Sequence, residues 1–228
     1  MTRPARGFTL VELLVVVSII ALLITIIMPT YTKVMAIARE TDCLNNLNLI
    51  AKALAGYMDD ETNGDRLPRN DPPGVTYEDV DPNDLLPGRD STMRWWCNKV
   101  YPYSDMRAKV FMCPMDSDRE DWATVACSYG FNQTLTDNKC YTLHGIKDFQ
   151  TTILIGHCSD DVLAGEPGIN EDIGKDPTFW PGLHMKKYDS AAGMETGRCG
   201  FIMASGNVRT LYFGDVDSEE ERKILFYP

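Results

Sequence analysis

Twenty-one consecutive residues, Phe8 to Met28, read FTLVELLVVVSIIALLITIIM, and sixteen of them are large and apolar. As a helix this run is about 31 Å long, enough to cross the hydrocarbon core of a bilayer. Arg3 and Arg6 precede it, so the amino terminus is expected to stay cytoplasmic while the bulk of the chain is exported. Whatever else the chain builds has to be joined to this segment.

Glu12 is the anomaly inside it. A carboxylate within the bilayer costs about 3 kcal/mol on insertion scales. Sixteen large apolar residues at roughly −0.4 kcal/mol each return about −6 kcal/mol, so the segment still inserts. No cation of the same helix lies at the same depth, since Lys33 falls near the other end of the span. The expectation is therefore a cation presented by another chain.

Gly7-Phe8-Thr9-Leu10-Val11-Glu12 resembles the cleavage motif of type IV pilin-like proteins and type II secretion pseudopilins. The resemblance implies that a membrane peptidase and methyltransferase cuts after Gly7 and methylates the new amine of Phe8. It also implies that Glu12 pairs with the amine of an adjacent subunit during filament assembly. Pro29 stands where many pilins carry a helix-bending proline. Two other readings of this end compete with it. A secretory signal would use Ala36-Ile37-Ala38 as its cleavage site, but the apolar run is longer than the usual 7–15 residues, holds a glutamate and stops well short of Ala36. A plain single-span anchor gives Glu12 no reason to exist.

Past Pro29 the apolar residues Tyr31, Val34, Met35, Ala38, Leu44, Leu47, Ile50, Leu54 and Met58 recur at three- and four-residue steps. Lys33, Arg39, Glu40, Asn45, Asn46, Asn48 and Lys52 fall mostly opposite. One long helix over residues 8–60 is expected, with 8–28 in the membrane and the remainder laid on a sheet that covers its stripe. Asn63-Gly64 ends it.

Residues 61–92 are rich in Asp, Pro, Asn and Gly and read as an acidic surface loop. Some secretion pseudopilins bind calcium, and Asp59, Asp60, Asp65, Asp71, Asp79, Asp81 and Asp84 raise that idea here. The run lacks an ordered calcium-loop pattern, so a solvated loop is the reading and no cofactor is expected.

Residues 93–228 read as a β-rich head. Lys109–Pro114 and Thr151–Ile155 are strand candidates. Residues 200–213 read as a hairpin turning at Ser205-Gly206-Asn207. The fold class is α+β, a long amino-terminal helix on a carboxy-terminal antiparallel sheet. Trp95-Trp96, Pro102-Tyr103, Val110–Pro114 and Ser128–Asn132 also resemble elements of the large prepilin-type proteins of planctomycete and lentisphaerid relatives. Met203–Val208 lacks the aspartate and histidine of their terminal hairpin.

The chain has seven cysteines and no C-x-x-C spacing, which argues against zinc ribbons and thioredoxin-like chemistry. Cys97, Cys113, Cys127, Cys140, Cys158 and Cys199 are candidates for disulfides, in any of fifteen connectivities. Cys43, on the helix, reads as a buried thiol. Cys140 with His144, and His157 with Cys158, match no zinc spacing, and no metal is expected. No G-x-S-x-G motif or phosphate loop is present, and Asp160-Asp161 reads as a solvated strand end, so no catalytic residue is nominated. A formal net charge of −11 makes nucleic acid an improbable partner. The expected function is that of a filament subunit, with an extracytoplasmic binding module or enzyme anchored by the same helix as the alternative.

Overall fold

The computed structural model describes residues 8–68, 96–115, 127–132, 135, 142–157, 184–189 and 194–212. The chain forms two compact units, Met1–Ala38 and Arg39–Pro228. A single helix, α1 (Leu10–Asp59), contributes to both.

In the first unit α1 carries the apolar run with its side chains exposed: Leu10 is 80% exposed and Ile26 64%. The helix is long and apolar enough to cross a membrane. Three of its hydroxyls are satisfied within the helix. Ser18 donates to the Val15 carbonyl at 2.8 Å, Thr25 to that of Ala21 at 2.9 Å, and Thr32 to that of Pro29 at 3.1 Å. Such back-bonding is what a segment in hydrocarbon requires, because lipid offers no partner. Pro29 lies within the helix and has no N–H to offer the Thr25 carbonyl one turn earlier.

In the second unit the stripe of α1 becomes a core face. Cys43, Leu47, Ile50, Leu54 and Tyr57 are buried at alternating steps of four and three residues. The burial starts later than the sequence pattern implies, since Tyr31, Val34 and Met35 are exposed. The pattern also misplaces Glu40 on the polar side; it is buried. The buried face is decided by what packs on the helix, and apolar periodicity alone continues unchanged from the membrane span.

Among the described residues the head contains five strands in one antiparallel sheet: β1 (Tyr129–Phe131), β2 (Ile153–His157), β3 (His184–Asp189), β4 (Met194–Met203) and β5 (Val208–Tyr212). The order is β1-β2-β4-β3, with β5 also paired to β4. Arg198, Phe201 and Ile202 each pair with β5 and with β3 or β2, so β5 takes one edge of β4 and the other two share the opposite edge. The β4–β5 turn closes with Met203 N–H donating to Asn207 and Gly206 N–H donating to Met203, and Gly206 sits at φ +79°. A left-handed backbone of this kind is where glycine carries no Cβ penalty.

A short helix, α2 (Trp96–Val100), leads into two 3₁₀ turns, Tyr101–Ser104 and Ala108–Phe111. Residues 109–114 are therefore not a strand, in contrast to the sequence expectation. The curl turns Phe111 toward Trp96 and Tyr101, with ring centroids 6.1 and 6.2 Å away. Only Met112 is extended before Pro114, which has no ladder donor to give. The segment is instead tied to the chain entering β1. Ser128 N–H donates to the Phe111 carbonyl at 2.8 Å, and Cys113 N–H to Ser128 Oγ at 3.0 Å.

The sheet comes close to the helix at Gly200. A Cβ there would lie 2.5 Å from Leu47 Cδ1 and 3.0 Å from Leu44 Cδ2. Beyond Asp59 the chain turns through Gly64 and Asp65, both at positive φ. The Asp60 carboxylate accepts from Thr62 N–H (2.9 Å), Thr62 Oγ1 (2.7 Å) and the Tyr103 hydroxyl (2.7 Å). Tyr103 also stands edge-on to Tyr57 at 5.7 Å.

Two stability predictions follow from these contacts. Gly200→Ala is expected to cost about 1–3 kcal/mol, because fully buried Leu47 has little room to yield. It is read from thermal unfolding of the full-length protein in detergent, and an unchanged midpoint would contradict the packing. The Thr62 and Tyr103 hydrogen bonds hold the Asp60 carboxyl below its ordinary value of 3.8. A depressed folded-state value contributes stability above the unfolded value and loses it as pH falls through the folded one. The wild type should therefore exceed Asp60→Asn in stability near neutrality, with the difference shrinking below pH 3.8. A difference that grows on acidification would reverse the sign.

Candidate functional site

The helix start at Leu10 makes Thr9 the N-cap and Glu12 the third helical residue. Glu12 N–H donates to Thr9 Oγ1 at 3.2 Å, and Thr9 N–H donates back to Glu12 Oε2 at 2.9 Å. Thr9 Oγ1–H adds a third bond to the same Oε2 at 2.7 Å. This is a capping box, in which two backbone donors that helix geometry orphans are satisfied reciprocally. A cap of this type is worth about 0.5–2 kcal/mol to the helix.

The cap gives the Glu12 carboxylate hydrogen-bond donors within its own turn, although not a cation. The signal was present in the sequence, since Thr9-Leu10-Val11-Glu12 ahead of an apolar run is the capping-box pattern. All the hydrogen bonds seen from Thr9 to the carboxylate fall on Oε2. Among the described residues nothing hydrogen-bonds Oε1. The positive end of the helix dipole also favours a carboxylate in this first turn. Phe8, the residue before the cap, is 75% exposed. Gly7 lies outside the described residues.

Residues 2–28 match the prokaryotic N-terminal methylation motif. The match takes in Arg3, Arg6, Gly7, Phe8, Glu12 and the apolar run. It supports the pilin-like and pseudopilin likeness of this end and fits a protein anchored in the inner membrane. No curated protein matches the chain, and no solved structure does.

The head holds a second group of chemically capable residues. Cys43, Cys97, Cys113, Cys127 and Cys199 are buried thiols, while Cys140 and Cys158 lie outside the described residues. Of the histidines, His144 is exposed and His157 is fully buried. The structure brings His157 to Cys43, with Nε2 2.9 Å from Sγ, across more than a hundred residues of sequence. The Tyr129 hydroxyl lies 3.1 Å from the same sulfur. Burial, reinforced by the neighbouring Cys113, pushes the Cys43 thiol far up, and burial likewise keeps the Tyr129 phenol protonated. Spacing along the chain carries no trace of this cluster, because its members come from a helix, a loop and two strands.

Of the acidic residues raised for calcium, Asp60 is engaged by Thr62 and Tyr103, and Asp71, Asp79, Asp81 and Asp84 lie outside the described residues.

Proposed function

We propose that the protein is a structural subunit of a type II secretion or type IV pilus-like filament. A prepilin peptidase cuts between Gly7 and Phe8, Phe8 is N-methylated, and the α1 span passes from the bilayer into a bundle of like helices. Arg3 and Arg6 keep the leader cytoplasmic, where the cut is made, and the acidic head lies on the other side of the membrane.

The observation that carries this reading is the pairing of a methylation motif with a capped carboxylate at the head of an uncovered apolar helix. Capping by Thr9 stabilises the first turn but does not neutralise the charge. Moving Glu12 into a helical bundle leaves a net negative group among apolar side chains, which is costly without a cation. The amine of Phe8 from a neighbouring chain is a cation of the right sign at the right depth. Oε1 is the oxygen that can receive it while Oε2 keeps the cap.

The two roles separate by substitution. Glu12→Gln retains a side-chain oxygen that can complete a capping box but carries no charge. Glu12→Ala removes both. Both variants should remain membrane-inserted, and both should fail to enter filaments sheared from the cell surface or from an overexpressed pseudopilus. Assembly of Glu12→Gln at wild-type levels would reduce Glu12 to a helix cap. Assembly of both would leave the helix as an anchor for a head with some other activity.

A further inference from the structure

We propose that Cys43, Cys113 and His157 form a binding site for a thiolate-seeking divalent cation of the zinc class inside the head. Their ligand atoms, two Sγ and an imidazole nitrogen, all lie within 4.8 Å of one another, and all three residues are buried. The three come from different elements, α1, the loop after the second 3₁₀ turn, and β2. A cation here would fasten the helix to two parts of the head at once.

The donor set argues for the class of ion. Two sulfurs and an imidazole suit zinc and its congeners, whereas calcium and magnesium need oxygen ligands. Charge argues the same way. A dication with two thiolates and a neutral imidazole sums to zero, the balance a buried setting accepts most cheaply. Singly charged or oxygen-loving ions would leave a buried charge or an unsatisfied shell.

The surroundings are those of held ligands. Cys113 is fixed by its own N–H on Ser128 Oγ at 3.0 Å, and its sulfur accepts from Met115 N–H at 3.4 Å. The Tyr129 hydroxyl lies 3.1 Å from Cys43 Sγ, within reach to donate to it once the thiol has lost its proton. His157 is oriented by Gly200 N–H, which donates to Nδ1 at 3.2 Å. In that arrangement the neutral ring carries its proton on Nε2, aimed at Cys43. Cation binding moves this proton to Nδ1, which opens the Gly200 contact, and releases the two thiol protons to solvent. Two protons leave per ion, and no oxidant is involved.

The test uses the reduced full-length protein in detergent with cobalt(II) as the probe, since it takes zinc's sites and reports sulfur ligation by colour. One equivalent should give an intense thiolate-to-cobalt charge-transfer band that zinc then bleaches. Below the thiol range the apparent affinity should rise about a hundredfold per pH unit, as release of two protons requires. Cys43→Ser and Cys113→Ser should lose the band. His157→Asn should weaken binding by at least about tenfold. Cys97→Ser, outside the cluster, should leave the band intact. The wild-type spectrum decides the matter even if a cluster variant fails to fold. Absence of a sulfur band in the wild type, or recovery of Cys43 and Cys113 as a mutual disulfide that binds no cobalt, would overturn the proposal.

Discussion

One helix has to satisfy two environments, and the rest of the structure is arranged around that. Through the apolar run, α1 offers large apolar side chains that are exposed. From Glu40 onward the same helix offers a narrow stripe, and the head is built against it. Leu47, Ile50 and Leu54 each gain about 1.5–3 kcal/mol from leaving water, on area grounds. Gly200 gives the sheet its close approach to Leu47 and Leu44. The Ser128 contacts to Phe111 and Cys113 hold the 3₁₀ segment against the chain entering β1.

Charge at the start of α1 is governed by geometry as much as by solvent. Thr9 and Glu12 close the first turn on themselves, so the carboxylate is useful before any second chain is present. What capping cannot supply is a counter-charge. On the proposal that the chain assembles into a filament, the cap and the ion pair are two successive uses of one side chain, made on its two oxygens.

Much of this was legible from residues alone, for physical reasons. The apolar run is unambiguous because it is long. Thr151–Ile155 overlaps β2 because of its β-branched run, with the strand itself starting at Ile153 and reaching His157. Residues 200–212 hold the β4–β5 hairpin because β-branched and aromatic residues flank a glycine turn there. Lys109–Pro114 reads as a strand by the same composition but folds as a 3₁₀ turn, since Phe111 has an aromatic pocket to fill. The stripe's true start was hidden because Tyr31, Val34 and Met35 continue its spacing into the uncovered part of the helix. Cys43, Cys113 and His157 could not be grouped at all, because sheet register and helix docking bring them together and no local pattern records either. The Thr9–Glu12 box, in contrast, is written in four consecutive residues.

The claim on which the functional account rests is that the amino terminus is processed so that Glu12 becomes the fifth residue of a chain whose first is Phe8. Intact-mass and peptide mass spectrometry of the protein recovered from its own membrane tests this directly. The account predicts a mature chain beginning at Phe8 with a methylated α-amine. An intact leader from Met1, or a first residue near Arg39, would contradict it.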